Sequence, residues 1–174
     1  MKNSKTSRMI KIALFASLVS VLSYVTIPIP PVPFTAQTLG VMLVGLVLAP
    51  IDALISIIIF ILLGVIGIPV FSGGSSGIGV LFGPTGGYIF GFLASAGFIS
   101  YFKGNGKDFK RNLIVTFLGG IGIVYLIGVP WLSFSLNMDI IKAMKIGALP
   151  FLIGDSIKVI LASIIGVKLN KALK

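Results

Sequence analysis

The chain has no cysteine and no histidine, and only four of its 174 residues are acidic. The absence of cysteine excludes disulfides and thiol chemistry, and the absence of histidine excludes imidazole as a metal ligand or proton carrier. General acid–base catalysis would have to rest on a few carboxylates, so an enzyme is the least favoured class of protein. We therefore predict no catalytic residues, no metal site and no cofactor.

Charge is scarce throughout the chain. Only 10% of the residues are charged, 56% are hydrophobic, and the mean hydropathy is +1.14. A soluble domain carries about 25% charged residues, so this composition indicates an integral membrane protein. The length leaves room for about six spans of about 20 residues each and for no additional soluble domain. We therefore predict an all-α fold in which residues 1–174 form a single membrane domain.

Proline, glycine and clusters of charge divide the apolar sequence into six predicted transmembrane helices. Their ranges are 8–27, 36–49, 51–68, 85–102, 112–130 and 147–170. We expect the fifth helix to end at Pro130. We expect Pro150 in the first turn of the sixth, where the missing N–H costs least.

Lysine and arginine occur in three clusters that predict the orientation of the spans. They lie before helix one, between helices four and five, and after helix six: Lys2, Lys5, Arg8 and Lys11; Lys103, Lys107, Lys110 and Arg111; Lys168, Lys171 and Lys174. Six spans place all three clusters on one side, which the positive-inside rule makes cytoplasmic together with both termini. This distribution accounts for the net charge of +10, so we predict no nucleic-acid partner.

A cleaved signal peptide is the competing interpretation of the N-terminus. The basic residues before helix one fit a signal peptide. The apolar stretch that follows has no clear A-x-A site and runs to Ile27, which is longer than the apolar region of a typical signal peptide. We favour a retained first span.

Three connections face outside in this topology, at residues 27–38, 68–87 and 130–139. They hold nearly all of the proline and the only tryptophan of the chain. Function concentrates in such loops when rigid elements hold them, although ordinary Pro/Gly connectors remain the alternative.

Two charged residues, Asp155 and Lys158, interrupt the apolar sequence of the last predicted helix. Their spacing of three places them on one helix face. At 1.5 Å per residue, Asp155 would lie about 12 Å below a helix start at Gly147. Charge inside the hydrocarbon layer marks a ligand or ion pathway. A structural ion pair and a proton or ion relay are the alternatives to a polar anchor for an organic ligand, which we favour.

A ligand anchored there needs apolar walls and a few convergent polar groups. We expect the walls to come from Phe34, Phe71, Phe82, Tyr88 and Trp131. We expect the hydrogen-bonding groups to be Thr35, Gln37, Ser75 and Ser76.

Four motifs resemble the signatures of one protein family. They are V-P-F-T-A-Q-T-L-G (32–40), G-I-P-V-F-S-G-G-S-S-G-I-G-V-L-F-G-P-T-G-G-Y (67–88), G-V-P-W-L-S (128–133) and P-F-L-I-G-D-S-I-K (150–158). Their order and content resemble the BioY family, the biotin-binding substrate-capture (S) subunits of bacterial energy-coupling factor transporters. The resemblance implies a six-helix, multi-pass protein of the bacterial cell membrane. Such a subunit would capture biotin from outside and work with a membrane coupling (T) subunit and paired cytoplasmic ATPases.

The resemblance also implies roles for individual residues. Asp155 and Lys158 match the D-x-x-K motif of the last helix, which is implied to contact the ligand. Tyr88 matches the aromatic residue after P-T-G-G, and Gln37 the polar residue of the first outer loop. Two serines, Ser75 and Ser76, fall where related chains carry a different polar residue.

Energy and partners are the remaining inferences. No G-x-x-x-x-G-K-[ST] sequence is present, so we predict that the energy for uptake comes from partners or an ion gradient. Helix one carries two small-x-x-x-small pairs, Ala13 with Ser17 and Ala16 with Ser20, which permit close helix contact. Packing within this subunit is one interpretation, and the resemblance favours docking to the coupling subunit. The alternative function is an autonomous secondary carrier that uses Asp155 as its coupling-ion site.

Overall fold

The computed structural model describes residues 5–172, which fold almost entirely into helices. The α-helices in this part of the chain are α1 (Lys5–Leu22), α2 (Gln37–Val47), α3 (Pro50–Val65), α4 (Gly79–Phe82), α5 (Gly86–Phe102), α6 (Phe109–Phe117), α7 (Val124–Ser135), α8 (Ile140–Gly147) and α9 (Leu152–Ala172). Two strands, β1 (Thr26–Ile27) and β2 (Phe34–Thr35), pair antiparallel, and 3₁₀ turns occupy Ser72–Gly74 and Leu149–Phe151. This mostly helical architecture agrees with the predicted all-α class.

Two helical stretches of the described chain are long and apolar enough to cross a bilayer. They run over Phe109–Ser135 and Ile140–Ala172. Shorter apolar helices cover Gln37–Val47, Pro50–Val65 and Gly86–Phe102. At 1.5 Å per residue the 11 residues of α2 extend about 16 Å, which is less than the hydrocarbon thickness of about 30 Å.

The first predicted helix ends earlier than expected. It was predicted to reach residue 27, but α1 ends at Leu22 and the chain enters a hairpin in which Thr26 pairs with Thr35 and Ile27 with Phe34. The prolines that follow Ile27 cannot continue a helix, and β-branched and aromatic residues on both sides of the turn favour strands. This hairpin is the small exception to the all-α prediction.

The predicted helix end at Pro130 and the predicted start at residue 147 are both wrong. Helix α7 continues through Pro130 to Ser135. Proline removes one backbone hydrogen bond of the helix, whereas ending the helix among apolar neighbours would leave several backbone groups without hydrogen-bond partners. After α7 the chain forms α8 and the 3₁₀ turn that contains Pro150, and only then does α9 begin at Leu152.

Helix α2 lies at the centre of the bundle, against α1, α5 and α9. Residues 40–46 are all buried, which explains why this segment is apolar on every side. Gly45 allows α2 to lie close to α5, since a Cβ there would lie 2.7 Å from the Cβ of Ile99. The C-terminal end of α2 is thereby held against α5.

A π-helical segment, Leu118–Ile123, joins α6 to α7 in one continuous helix. Its glycines accept close neighbours: a Cβ on Gly120 would lie 2.4 Å from Met42, and one on Gly119 would lie 2.5 Å from Ile99. A π segment shifts the helical register and is frequently found beside functional sites. Here Val124 and Tyr125 follow it directly.

Lys103, which belongs to the basic link after α5, is buried against the same C-terminal end of α2. Its ammonium donates to the carbonyl oxygen of Gly45 at 2.9 Å and to that of Leu48. These are C-terminal carbonyls of α2, which have no partner within their own helix. Burial lowers the pKa of Lys103, which lies just beyond the end of α5, to about 8.

The two small-residue pairs of α1 lie in different surroundings. Ala16 and Ser20 are buried within this chain, whereas Ala13 and Ser17 are exposed. Of these two pairs in the described chain, only Ala13 with Ser17 is available to a partner protein.

Candidate functional site

Asp155 and Lys158 form a buried ion pair at the start of α9. Their Oδ1 and Nζ atoms are 2.8 Å apart, and the residues are 2% and 9% exposed. The predicted depth of about 12 Å for Asp155 is wrong because α9 starts at Leu152, so this residue is only about 4.5 Å along the helix. The positive end of the helix dipole therefore favours its negative charge.

Lys158 uses all three of its ammonium protons within the protein. It donates to the carbonyl oxygen of Thr35 at 2.6 Å, to Asp155 Oδ1 at 2.8 Å and to Thr38 Oγ1 at 3.0 Å. Its Nζ also lies 3.8 Å from the centre of the Phe34 ring, a cation–π contact. Lys158 thus ties β2 and the start of α2 to α9.

Asp155 accepts hydrogen bonds on both carboxylate oxygens. Lys158 and, at 3.2 Å, the hydroxyl of Thr38 donate to Oδ1, and the hydroxyl of Tyr125 donates to Oδ2. A carboxylate has about four lone-pair positions, so one on Oδ2 remains for a further donor. The pair therefore presents an acceptor, whereas its ammonium protons are already bonded.

A cavity opens above the ion pair. Its volume is about 50 Å³. The side chains that line it come from the hairpin region, the connection between α3 and α5, the turn before α9 and the N-terminal parts of α2, α5, α7 and α9: Val32, Pro33, Phe34, Thr35, Thr38, Ser72, Thr85, Tyr88, Ile89, Phe92, Val124, Tyr125, Phe151, Asp155 and Lys158. This is an apolar pocket with a few polar groups, suited to a small organic molecule.

Aromatic rings form two sides of the cavity. Phe34 and Phe151 are stacked with centroids 5.8 Å apart, and Tyr88 and Tyr125 meet edge to face at 6.2 Å. The hydroxyl of Tyr88 donates to the carbonyl oxygen of Gly147 at 2.8 Å, which fixes its ring against the end of α8. Flat apolar walls of this kind bury a ring system at little entropic cost.

A model of the BioY family matches residues 1–174. The chain belongs to the BioY family.

Individual BioY proteins match over nearly the whole chain. It is 42% identical to "Biotin transporter BioY2" of Lactococcus lactis subsp. cremoris (strain MG1363), with 99% of this chain and 95% of the relative covered. It is 38% identical to "Biotin transporter BioY" of Thermotoga maritima, with 94% and 96% covered. A crystal structure of the S-component for biotin from an ECF-type ABC transporter superposes with a TM-score of 0.91 at 33% identity, covering 98% of this chain and 94% of that one.

Five of the predicted site residues of this BioY chain line the cavity. They are Asp155, Lys158, Tyr88, Phe34 and Thr35. Gln37 lies just behind the wall, where its Oε1 accepts from Ser72 at 2.9 Å and its Nε2 donates to the carbonyl oxygen of Val70 at 3.4 Å. Its contacts position Ser72, which does line the cavity.

Other predicted site residues lie away from the cavity. Ser75 and Ser76 are exposed, and Ser75 donates to the carbonyl oxygen of Ser72 at 3.0 Å. The indole N–H of Trp131 donates to the carbonyl oxygen of Gly83 at 2.9 Å, because α7 continues past Pro130 and turns this side chain toward α4 and α5.

Two aromatic residues expected in the walls are also elsewhere. Phe71 is fully buried, edge to face with Phe60, and Phe82 is 72% exposed.

Tyr125, Thr38 and Ser72 are lining residues that the sequence analysis missed. Tyr125 sits in an uninterrupted apolar helix, and nothing in its neighbourhood distinguishes it from a core tyrosine. Thr38 could have been found, because it lies beside Gln37 within the motif at 32–40.

Proposed function

We propose that this chain is a substrate-capture subunit that binds biotin from the outer side of the membrane and delivers it through an energy-coupling factor transporter. The observation that carries the proposal is the match to the BioY family along all 174 residues. The buried Asp155–Lys158 pair at the floor of a cavity with aromatic walls supports it. The family is one of transporters, so the chain is not an enzyme.

The hydrogen bonds of the floor favour one orientation of the ligand. Biotin has two ureido N–H donors, a ureido carbonyl, an apolar bicycle and a carboxylate tail. The free lone pair on Asp155 Oδ2 suits a ureido N–H, whereas Lys158 has no proton left for a carboxylate. We therefore infer that the ureido ring lies at the floor, with the carboxylate near the hydroxyl of Thr85.

The membrane arrangement belongs to the same proposal. Six spans with both termini in the bacterial cytoplasm place the three basic clusters on the inner side and the cavity on the outer side. The proposed partners are a membrane coupling subunit and paired cytoplasmic ATPases. The exposed Ala13 and Ser17 of α1 support close docking of the coupling subunit there.

The alternative, an autonomous carrier with Asp155 as an ion site, has less support. Lys158, Thr38 and Tyr125 already donate to this carboxylate, and residues 5–172 contain no cluster of three acidic, histidine or cysteine side chains. An ion would have to displace these partners.

Equilibrium binding of biotin to the purified, folded chain in detergent tests the proposal. We expect saturable binding at or below about micromolar biotin. The absence of binding at that concentration would exclude the proposed function. Biotin-driven counterflow in liposomes that contain only this chain would favour the carrier.

Two analogues test the orientation in the same assay. Biotin amide, altered at the carboxylate, should bind with a small loss, whereas N-methylation of the ureido ring should weaken binding by at least about 10-fold, because it removes a donor to a charged group. The reverse order would place the carboxylate at the floor without excluding biotin as the ligand.

A further inference from the structure

Two adjoining cavities lie between α1 and α3, at the opposite end of the molecule from the biotin cavity. The first is an apolar groove of about 550 Å³. Its apolar lining comes from both helices: Met9, Ile12, Ala13, Ile55 and Ile59. Met9 is 68% exposed, and the hydroxyl of Ser56 donates to the carbonyl oxygen of Ile12 at 3.2 Å, which fixes the helices beneath the groove.

The second cavity is a polar pocket of about 380 Å³ at the end of this groove. Lys5, Arg8 and Lys11 line it, together with Asp52 and the backbone turn at 47–49. Lys5 and Arg8 line both cavities, so the groove and the pocket adjoin each other.

The pocket has an excess of positive charge. Asp52 is its one acidic lining residue, and it is engaged by Arg8, whose Nη2 lies 2.6 Å from Asp52 Oδ1. The ammonium groups of Lys5 and Lys11 therefore remain to attract an anion.

We propose that this combined site holds one anionic phospholipid. Its phosphate headgroup lies in the pocket of Lys5, Arg8 and Lys11, and an acyl chain lies along the apolar groove. The positive-inside orientation places the pocket at the level of cytoplasmic headgroups, where basic pockets between transmembrane helices bind anionic lipids. A zwitterionic lipid offers the same chains without the net negative charge that this pocket complements.

The lipid site adjoins the surface proposed for the coupling subunit. Ala13 lines the groove, and Ser17 lies one turn further along the same exposed face of α1. The lipid would therefore cover this face of the free subunit and leave it when α1 docks. The site is remote from the biotin cavity, so the two can be tested separately.

Thermal unfolding of the purified full chain, together with native mass spectrometry, tests the proposal. Dioleoyl-phosphatidylglycerol should raise the melting temperature by several degrees more than dioleoyl-phosphatidylcholine at the same mole fraction, and one phosphatidylglycerol should stay bound in the mass spectrum. Inorganic phosphate at matched ionic strength should leave the melting temperature unchanged.

A pair of double variants localises the effect. Lys5→Gln with Lys11→Gln should abolish the preference for phosphatidylglycerol. Lys107→Gln with Lys110→Gln, which removes the same charge from the link between α5 and α6, should retain it. Unchanged biotin binding in both would show that the fold is intact.

Several results would overturn the proposal. One is an equal rise in melting temperature of the wild type with the two lipids, and another is an equal effect of the two double variants on the lipid preference. A third is that inorganic phosphate raises the melting temperature as much as phosphatidylglycerol does, which would indicate an anion site without an acyl chain. A spectrum of lipid-free dimers would assign the groove to self-association. If the Lys5/Lys11 variant no longer assembles with the coupling subunit but keeps its lipid preference, the groove and pocket would be assigned to the coupling subunit.

Discussion

Asp155 loses its hydration on burial and regains hydrogen bonds from three different elements of the fold. Lys158 comes from its own helix, Thr38 from α2 and Tyr125 from α7. A buried carboxylate is costly unless it is paired and hydrogen-bonded, so the bonding groups around it are fixed in place before a ligand arrives. The carboxylate that keeps one free acceptor position is among the groups that line the cavity.

The two aspartates in ion pairs give a matched test of this arrangement. Asp155→Asn should weaken biotin binding by about 10- to 100-fold, because a hydrogen bond to a charged group is worth about 1.5–3 kcal/mol. Asp52→Asn removes only the exposed pair with Arg8 and should change the affinity by less than about 3-fold. Isothermal titration of both variants measures the difference, and equal losses would assign Asp155 a purely structural role.

Lys103 predicts a dependence of stability on pH. Its pKa in the folded chain is about 8, below its ordinary value of 10.5, so between these pH values the unfolded chain holds a proton that the folded chain has released. The contribution of this residue to stability therefore rises with pH across that window. The melting temperature of the wild type relative to Lys103→Met should increase from about pH 7 to about pH 9.5. The exposed Lys110→Met serves as the control, and a difference that stays flat or falls would contradict the prediction.

Among the elements, the β1–β2 hairpin packs closely against α9 at Gly154. Phe34 on β2 lies over Gly154, where a Cβ would come within 2.4 Å of its ring. The same ring stacks on Phe151 and covers the ammonium of Lys158. The hairpin can therefore lie against the floor of the site only while position 154 has no side chain.

Gly154→Ala should displace Phe34 and weaken biotin binding by about 10-fold, or about 1.4 kcal/mol. Gly122→Ala is the control, since a Cβ there meets no atom within 4 Å. Alanine is favoured over glycine in a helix by roughly 0.5–1 kcal/mol, so neither variant should unfold the protein on propensity grounds. Circular dichroism and biotin titration separate the two effects, and equal affinities in both variants would show that the hairpin is not required.

The sequence predicted most helices within a few residues but not the short elements in the connections between them. Runs of apolar residues bounded by proline and charge located α2, α3 and α5 well. The strands and α4 were missed because each is too short to show a clear period. Helix α8 is amphipathic, but it lies between the predicted third connection and the predicted start of the sixth helix at residue 147. In the site, Asp155 and Lys158 were identifiable as charges in an apolar run, whereas Tyr125 acquires its role only from contacts between α7 and α9.

For the whole molecule, the distribution of charge predicts which side of the membrane each end faces. The exposed Asn105 lies in the basic link between α5 and α6, and the exposed Ser76 lies in the second outer loop. Since the natural chain has no cysteine, single cysteines at these positions can be labelled without background. An impermeant maleimide should label Ser76→Cys in intact cells and Asn105→Cys only after permeabilisation. The opposite pattern would invert the proposed topology.

The π segment adds one residue to the continuous helical stretch Phe109–Ser135. This extra residue sets the rotation of α7 relative to α6. Deleting Gly122 would allow Leu118–Ile123 to rewind as ordinary α-helix and would turn one half against the other by about 100°. Tyr125 would then face a different neighbour than Asp155, although the length, hydropathy and charge of the chain would be nearly unchanged. A hydropathy plot would not distinguish that deletion from the natural protein, yet the pocket would have lost one of its walls.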